Sequence, residues 1–509
     1  MKDVVSTDVL VLGAGLAGSI AALRAAESGS RVLLVEAEAE SASSWAQGGI
    51  VYSSAEAVED LAHDIFEAGC RINNPSAVRV VSQEGPRILN EWLLAKCRVP
   101  FDTREGGEFD LTLEAAHSRA RILHVKDHTG ASIMDVISAA VRADTRIERL
   151  NGLLVDLMVS DRHDARSAAE YRTSTCAGAY VFVPASGQVL AVVAKAVILA
   201  TGGFSRLFEH STGPRGSRGD GISAAHRAGA RTLHLEYVQF HPTALFVPGQ
   251  PRYLLTEALR GSGARLLNAE RKSFVDELAP RDVVARAIHE EMLHSGTEHV
   301  WLDVSAVQEF ATRFPRIQEL LAHHGFDPSR DLIPVVPAAH YTIGGVWTDL
   351  DGASSLPGLF AAGEVACTGL HGANRLASTS LLEALVFAHR AADAACRLAA
   401  ENRDPDFEPK PWIPASVAVD PALLQQDWAL LRRTMWNYVG LVRSPARLKR
   451  AERMLSDLRR DVEDFYQRGA LSEALIGLRH AVLVATLVLY AALRNPQSLG
   501  THFLRYEES

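Results

Sequence analysis

Residues 7–18 read TDVLVLGAGLAG, and residues 31–36 read RVLLVE. Thr7–Leu12 is a short apolar run of strand-forming residues that stops at the glycine-rich turn Gly13-Ala14-Gly15-Leu16-Ala17-Gly18. An alanine-rich helical stretch follows to Ser28, Gly29 supplies a stop, and Arg31–Glu36 makes a second strand. In such a strand–turn–helix–strand unit the first glycine permits the tight bend. The second lets a pyrophosphate approach the backbone, and the third lets helix and strand pack closely. The phosphates then lie at the positive helix N-terminus. Glu36 closes the second strand about 20 residues beyond the turn, where a carboxylate accepts ribose hydroxyl hydrogen bonds. The unit predicts an α/β fold that binds a dinucleotide.

Outward from this unit, two more buried strands end in glycine. Ala194–Ala200 runs into Thr201-Gly202-Gly203, and Leu359–Ala362 runs into Gly363-Glu364. The residues between them differ in character, with charged helices and Pro-rich turns, so an inserted domain is expected. A linker follows at Asp404–Pro414, where four prolines block regular helix. Beyond it the pattern is helical. Leu424, Trp428, Leu431 and Met435 form one apolar stripe, Leu448 to Phe465 a second, and Leu475 to Leu489 a third. Three antiparallel helices would bury all three stripes.

Composition narrows the function classes. The 509 residues include 52 Lys plus Arg and 61 Asp plus Glu, a net charge of −9, which argues against a nucleic-acid binder. Five scattered cysteines suggest neither a disulfide framework nor a zinc site, and fit a reducing cytosol. No histidine spacing suggests a metal centre. No signal peptide is read at the N-terminus, and the longest apolar run, Ala481–Leu493, falls short of the roughly 20 residues that span a bilayer. A cytoplasmic protein without membrane partners is expected.

Two later features favour FAD over NAD. Thr201-Gly202-Gly203 returns the chain toward the nucleotide, and a helix opens near Ser378-Thr379-Ser380-Leu381. The N–H groups and positive dipole of that helix could stabilise negative charge on a reduced flavin. Taken alone, these hydroxyl residues would read as a helix cap.

Seven ordered segments carry a family resemblance: WAQGGI (45–50), HSRARILH (117–124), LEYVQFHPTAL (235–245), LLTEALRG (254–261), ELAPRDVVARAI (277–288), VPAAHYTIGGV (336–346) and GLHGANRLASTSLLEAL (369–385). With these the chain resembles the L-aspartate oxidase family, within the succinate dehydrogenase and fumarate reductase flavoprotein superfamily. The resemblance implies a Rossmann-like FAD-binding domain (1–233 and 342–410) interrupted by an α+β capping domain (234–341). A C-terminal three-helix bundle (411–509) follows. It implies FAD contacts from the glycine turn and Glu36, and from Ser43, Ser44, Gln47, Gly48, Gly49, Thr201, Gly202, Gly203, Asp220, Glu364, Ser380 and Leu381. Superfamily members that hold FAD covalently carry a His just before the Gln-Gly-Gly. Here that stretch is Ser41-Ala42-Ser43-Ser44, so FAD should be non-covalent.

The implied reaction is oxidation of L-aspartate to iminoaspartate, the first step of NAD biosynthesis. Dioxygen (yielding hydrogen peroxide) or fumarate (yielding succinate) accepts the electrons, and quinolinate synthase uses the product. Holding two carboxylates calls for Arg forks, His and hydroxyl donors. The candidates are His241, Thr256, Arg260, Arg281, His340 and Arg375, with both histidines read in turn-like contexts. By resemblance Arg281 is the acid/base residue, although a pKa above about 12 makes arginine a poor proton carrier. Glu114 could pair with the substrate ammonium, and its Leu113-Glu114-Ala115-Ala116 loop departs from the family's Arg-Glu-Gly-Gly. The rival reading is a fumarate reductase or succinate dehydrogenase flavoprotein subunit.

Overall fold

The computed structural model describes residues 4–37, 40–53, 57–114, 116–166, 169–401 and 407–506. Ala115 of the departing loop and Asp404–Asp406 of the expected linker lie outside the described residues.

The chain is α/β. Val4–Leu12 pairs in parallel with Val32–Glu36 on one side and with Gln188–Leu199 on the other. Ile147–Asn151 extends the parallel edge beyond Val32–Glu36. Gln188–Leu199 is long enough to serve two partners along its remaining edge. Its first half takes Cys176–Val183 antiparallel, and its last residues take Leu359–Ala361 in parallel. Leu153–Val159 completes this seven-stranded sheet. The parallel strands end together, at Leu12, Glu36, Leu199 and Ala361, which is the edge where open α/β sheets bind ligands.

A second sheet of five strands is antiparallel throughout. Its centre pairs Val238–Leu245 with Ile333–Thr342, and helix Arg281–Ser295 belongs to the same part of the chain. Leu245, Leu259, Val284, Ile288, Leu302 and Val335 share its apolar core.

Pro421–Val439, Pro445–Arg468 and Glu473–Arg494 are the three C-terminal helices. The stripes read from the sequence face inward: Leu431, Met435, Leu455, Leu458, Leu478 and Val482 are buried. They share one apolar cluster with Leu10, Leu199 and Phe204 around the first sheet. Glu473–Arg494 is long and apolar enough to cross a membrane, yet two-thirds of its apolar window is buried inside the protein, as in a core helix.

Candidate active site

The glycine turn explains itself sterically. Gly13 has φ +109°, and a Cβ there would meet the Ala200 carbonyl oxygen at 2.3 Å. A Cβ on Gly18 would lie 1.8 Å from the Gly13 carbonyl oxygen. Gly15 caps helix Leu16–Glu27 without any side-chain hydrogen bond, so the first-turn N–H groups are not taken up by a cap. The Leu16 N–H donates to Ser43 Oγ at 3.2 Å, which ties the turn to the Ser43–Gly49 segment.

That segment forms one wall of a cavity of about 1550 Å³. The cavity brings together Ser43, Ser44, Gln47, Gly48 and Gly49 with Glu364, Ser380 and Leu381, all expected at the cofactor. It also collects Glu114, His241, Thr256, Arg281, His340 and Arg375, all expected at the substrate. The donor set fits FAD: buried Gln47 Oε1 and Thr201 Oγ1 have no hydrogen-bond partner among the described residues. Gly48 and Gly203 are also cradle positions. A Cβ on Gly48 would come within 3.0 Å of Glu114, and one on Gly203 within 2.4 Å of Glu364.

Both histidines are corrected from turns to strands. His241 lies in Val238–Leu245 and His340 in Ile333–Thr342. The turn-like appearance came from Pro242 beside His241 and from the Gly344-Gly345 pair after His340, and a sheet tolerates proline at irregularities. Gln239 pairs with Tyr341 while the next residue, Phe240, pairs with Ala339, so His340 is the extra residue of a bulge. A second irregularity falls between His241 and Ala244, at Pro242 and Thr243. Bulges re-aim side chains, and here the two rings stand 5.6 Å apart in the cavity wall.

His241 Nδ1 lies 3.2 Å from both the backbone N–H and the carbonyl oxygen of Thr243, which hold the ring in place. Burial, then the charges of Arg281, His340 and Arg260, hold the His241 pKa well below the usual imidazole range. Burial and the charges of Arg375 and Arg281 do the same for His340. Both rings are therefore neutral near pH 7.

Arg375 forks onto Gln239 Oε1 from Nε at 3.2 Å and Nη2 at 3.0 Å, and Nη1 donates to Ser380 Oγ at 3.0 Å. Its guanidinium lies over the Tyr341 ring at 4.6 Å. Burial and the neighbouring charge of Arg281 lower its pKa to about 10. Arg281 opens its helix directly after Pro280, and its Nε donates to Glu257 Oε2 at 2.5 Å. Burial opposes ionisation of Glu257, but the charges of Arg281 and Arg260 outweigh it and hold its pKa down. Glu114 accepts from Ser378 Oγ at 2.6 Å, and burial raises its pKa.

Several expected residues stand outside the cavity wall, the glycine turn Gly13–Gly18 and Thr201–Gly203 among them. Arg260 is not in the cavity wall. It is 2% exposed, stands 3.6 Å from Glu257 and donates to the Glu277 carbonyl. Short helix Glu257–Gly261 puts it behind Glu257, away from the cavity. Asp220 is paired with Arg218 at 2.8 Å, and Glu36 with Arg149 at 2.5 Å, and neither lines the cavity.

Sequence reasoning missed Gln239, Glu257 and Tyr341, and read Ser378 only as part of a helix start. Gln239 was detectable once Val238–Leu245 is read as a strand, because i and i+2 share a face and His241 was already named. Behind the cavity Glu383 accepts from Thr368 Oγ1 at 2.6 Å, Tyr341 Oη at 2.9 Å and contacts His371 Nε2 at 2.9 Å. Burial works against its charge, yet His371 and these hydrogen bonds keep its pKa below the usual range.

Residues 8–381 match the FAD binding domain family. A Pseudomonas aeruginosa protein named L-aspartate oxidase is 40% identical, over 97% of this chain and 94% of its own length. A Halobacterium salinarum protein of the same name is 41% identical, over 99% and 97%. Among solved structures, an E. coli quinol fumarate reductase superposes with a TM-score of 0.86 at 25% identity, over 99% of this chain and 92% of that one. Identity of that extent along nearly the whole length of both named relatives places this chain in the L-aspartate oxidase family of FAD-binding proteins.

Proposed function

We propose that the protein oxidises L-aspartate to iminoaspartate, with dioxygen reduced to hydrogen peroxide or fumarate reduced to succinate. This is the first step of NAD biosynthesis. The observation that carries the reading is the convergence of two arginines and two neutral histidines on one cavity beside the N-terminus of helix Ser380–Glu401. Bound FAD supplies the two-electron chemistry, accepting hydride from the substrate Cα.

The chain's own residues bind and orient. Arg375 and His340 take one carboxylate, and His241 and Thr256 take the other. Glu114 pairs with the ammonium group, a contact that would repel a plain dicarboxylate. Arg281 is held by Glu257 beside the substrate. In aspartate oxidation it orients, and in fumarate reduction it donates the proton. The glycine turn, Glu36, Ser43, Ser44, Gln47, Gly48, Gly49, Thr201–Gly203, Asp220, Glu364, Ser380 and Leu381 hold FAD, non-covalently because residues 41–44 offer no His. We divide the chain into an FAD-binding domain (1–233 and 342–410), a cap (234–341) and a helical domain (411–509). The setting we infer from the resemblance is cytoplasmic, with quinolinate synthase consuming the product.

The likeness to fumarate reductase favours one rival reading, a flavoprotein subunit of that enzyme. Anaerobic bleaching of the flavin absorbance separates them. L-aspartate is expected to bleach it, and bleaching by succinate alone would sink the proposal. Arg281→Leu should retain FAD and lose fumarate reduction. Wild-type fumarate reduction in that variant would refute the proton-donor role.

A further inference from the structure

The outer wall of the cavity carries a second cationic group. Arg215, in the loop after Pro214, and Arg432, on helix Pro421–Val439, both line it. They come from segments more than two hundred residues apart in sequence. Neither has a hydrogen bond or a carboxylate partner among the described residues, and buried Arg432 Nε is unpaired. The Arg432 guanidinium is held over the Trp428 ring at 5.0 Å, which fixes its direction without neutralising it. Burial is the larger cause of the lowered Arg432 pKa, and the positive charge of Arg215 on the same wall adds to it. The carboxylates on this part of the wall are committed elsewhere or stand apart. Glu209 faces Arg433 at 3.9 Å, Glu40 accepts from Trp45 Nε1 at 3.0 Å, and among the described residues no ion pair joins Glu319 to either arginine.

Two like charges gathered from distant segments and left without a counter-ion cost free energy until an anion lies between them. The protein as a whole is acidic, so its overall field repels a dianion. We propose that Arg215 and Arg432 form a capture site for a carboxylate of the incoming dicarboxylate, ahead of the deeper Arg281 and Arg375. This inference rests on the dicarboxylate reading given above. It assigns the C-terminal helical segment a part in substrate capture. A guanidinium pair matches a carboxylate by paired N–H donors. With Arg215 exposed and Arg432 half-buried at the cavity wall, the pair would raise the association rate more than the final affinity.

The test uses the FAD-loaded enzyme and stopped-flow flavin absorbance, with succinate as probe and ionic strength varied. Arg215→Gln/Arg432→Gln is expected to slow succinate association about tenfold at low ionic strength and to flatten the salt dependence. In turnover with L-aspartate the loss should fall on kcat/KM rather than on kcat. Arg432→Lys should recover most of the rate, because the charge remains. Wild-type association with a wild-type salt slope in the double variant would overturn the proposal. So would loss of FAD affinity with unchanged succinate association, which would assign the pair to the cofactor's phosphates. If L-aspartate fails to reduce the wild-type flavin, the functional reading falls on its own. The succinate association rates still decide the capture site.

Discussion

At Glu364 the carboxyl is enclosed beside the cavity, and burial pushes its pKa up to about 7 from 4.5. The Thr342 N–H at 2.9 Å and hydroxyl at 3.1 Å offset that only in part. Folded, Glu364 keeps its proton to about pH 7, whereas the unfolded chain releases it near pH 4.5. The folded state therefore holds the extra proton across this window. Its contribution to stability is fully present below about pH 4.5 and is lost as pH rises through 7, at about 3 kcal/mol in all. In the FAD-free protein, Glu364→Gln should gain stability relative to wild type between pH 5 and pH 8. Parallel melting curves at the two pH values would contradict this. The residue was named from the sequence, but its proton balance depends on neighbours that sequence order does not reveal.

Among the elements, the turn after Val4–Leu12 tolerates least. A methyl group at Gly18 would overlap the Gly13 carbonyl, whose own bend is pinned against Ala200 on the neighbouring strand. Gly18→Ala should therefore separate helix from strand and abolish flavin binding, read as loss of the visible flavin spectrum in purified protein. Retained stoichiometric flavin would show that the helix can shift. This element was legible because its constraints are local. The central strands of the second sheet were less so. Pro242 and the Gly344-Gly345 pair imitate turns, and only the pairing of the two strands shows the irregularities that place His241 and His340 in one cavity wall.

Across the whole molecule, the C-terminal helices and the first sheet share one apolar cluster. Leu478 is fully buried within it. Leu478→Ala should cost about 2–5 kcal/mol, and flavin release should coincide with the loss of helical circular dichroism. Two separate transitions would show that the helices unfold by themselves. The sequence by itself determined the dinucleotide turn, the three apolar stripes and the six substrate candidates that meet at the cavity. Each depends on spacing along a single segment or on side-chain chemistry matched to an anion. Only the tertiary structure decided that Arg260 stands behind Glu257, that Gln239 holds Arg375, and that Arg432 joins Arg215 at the outer wall. Those relations join segments far apart in the chain, and the packing of buried charge between them exists only once the sheets and helices have closed together.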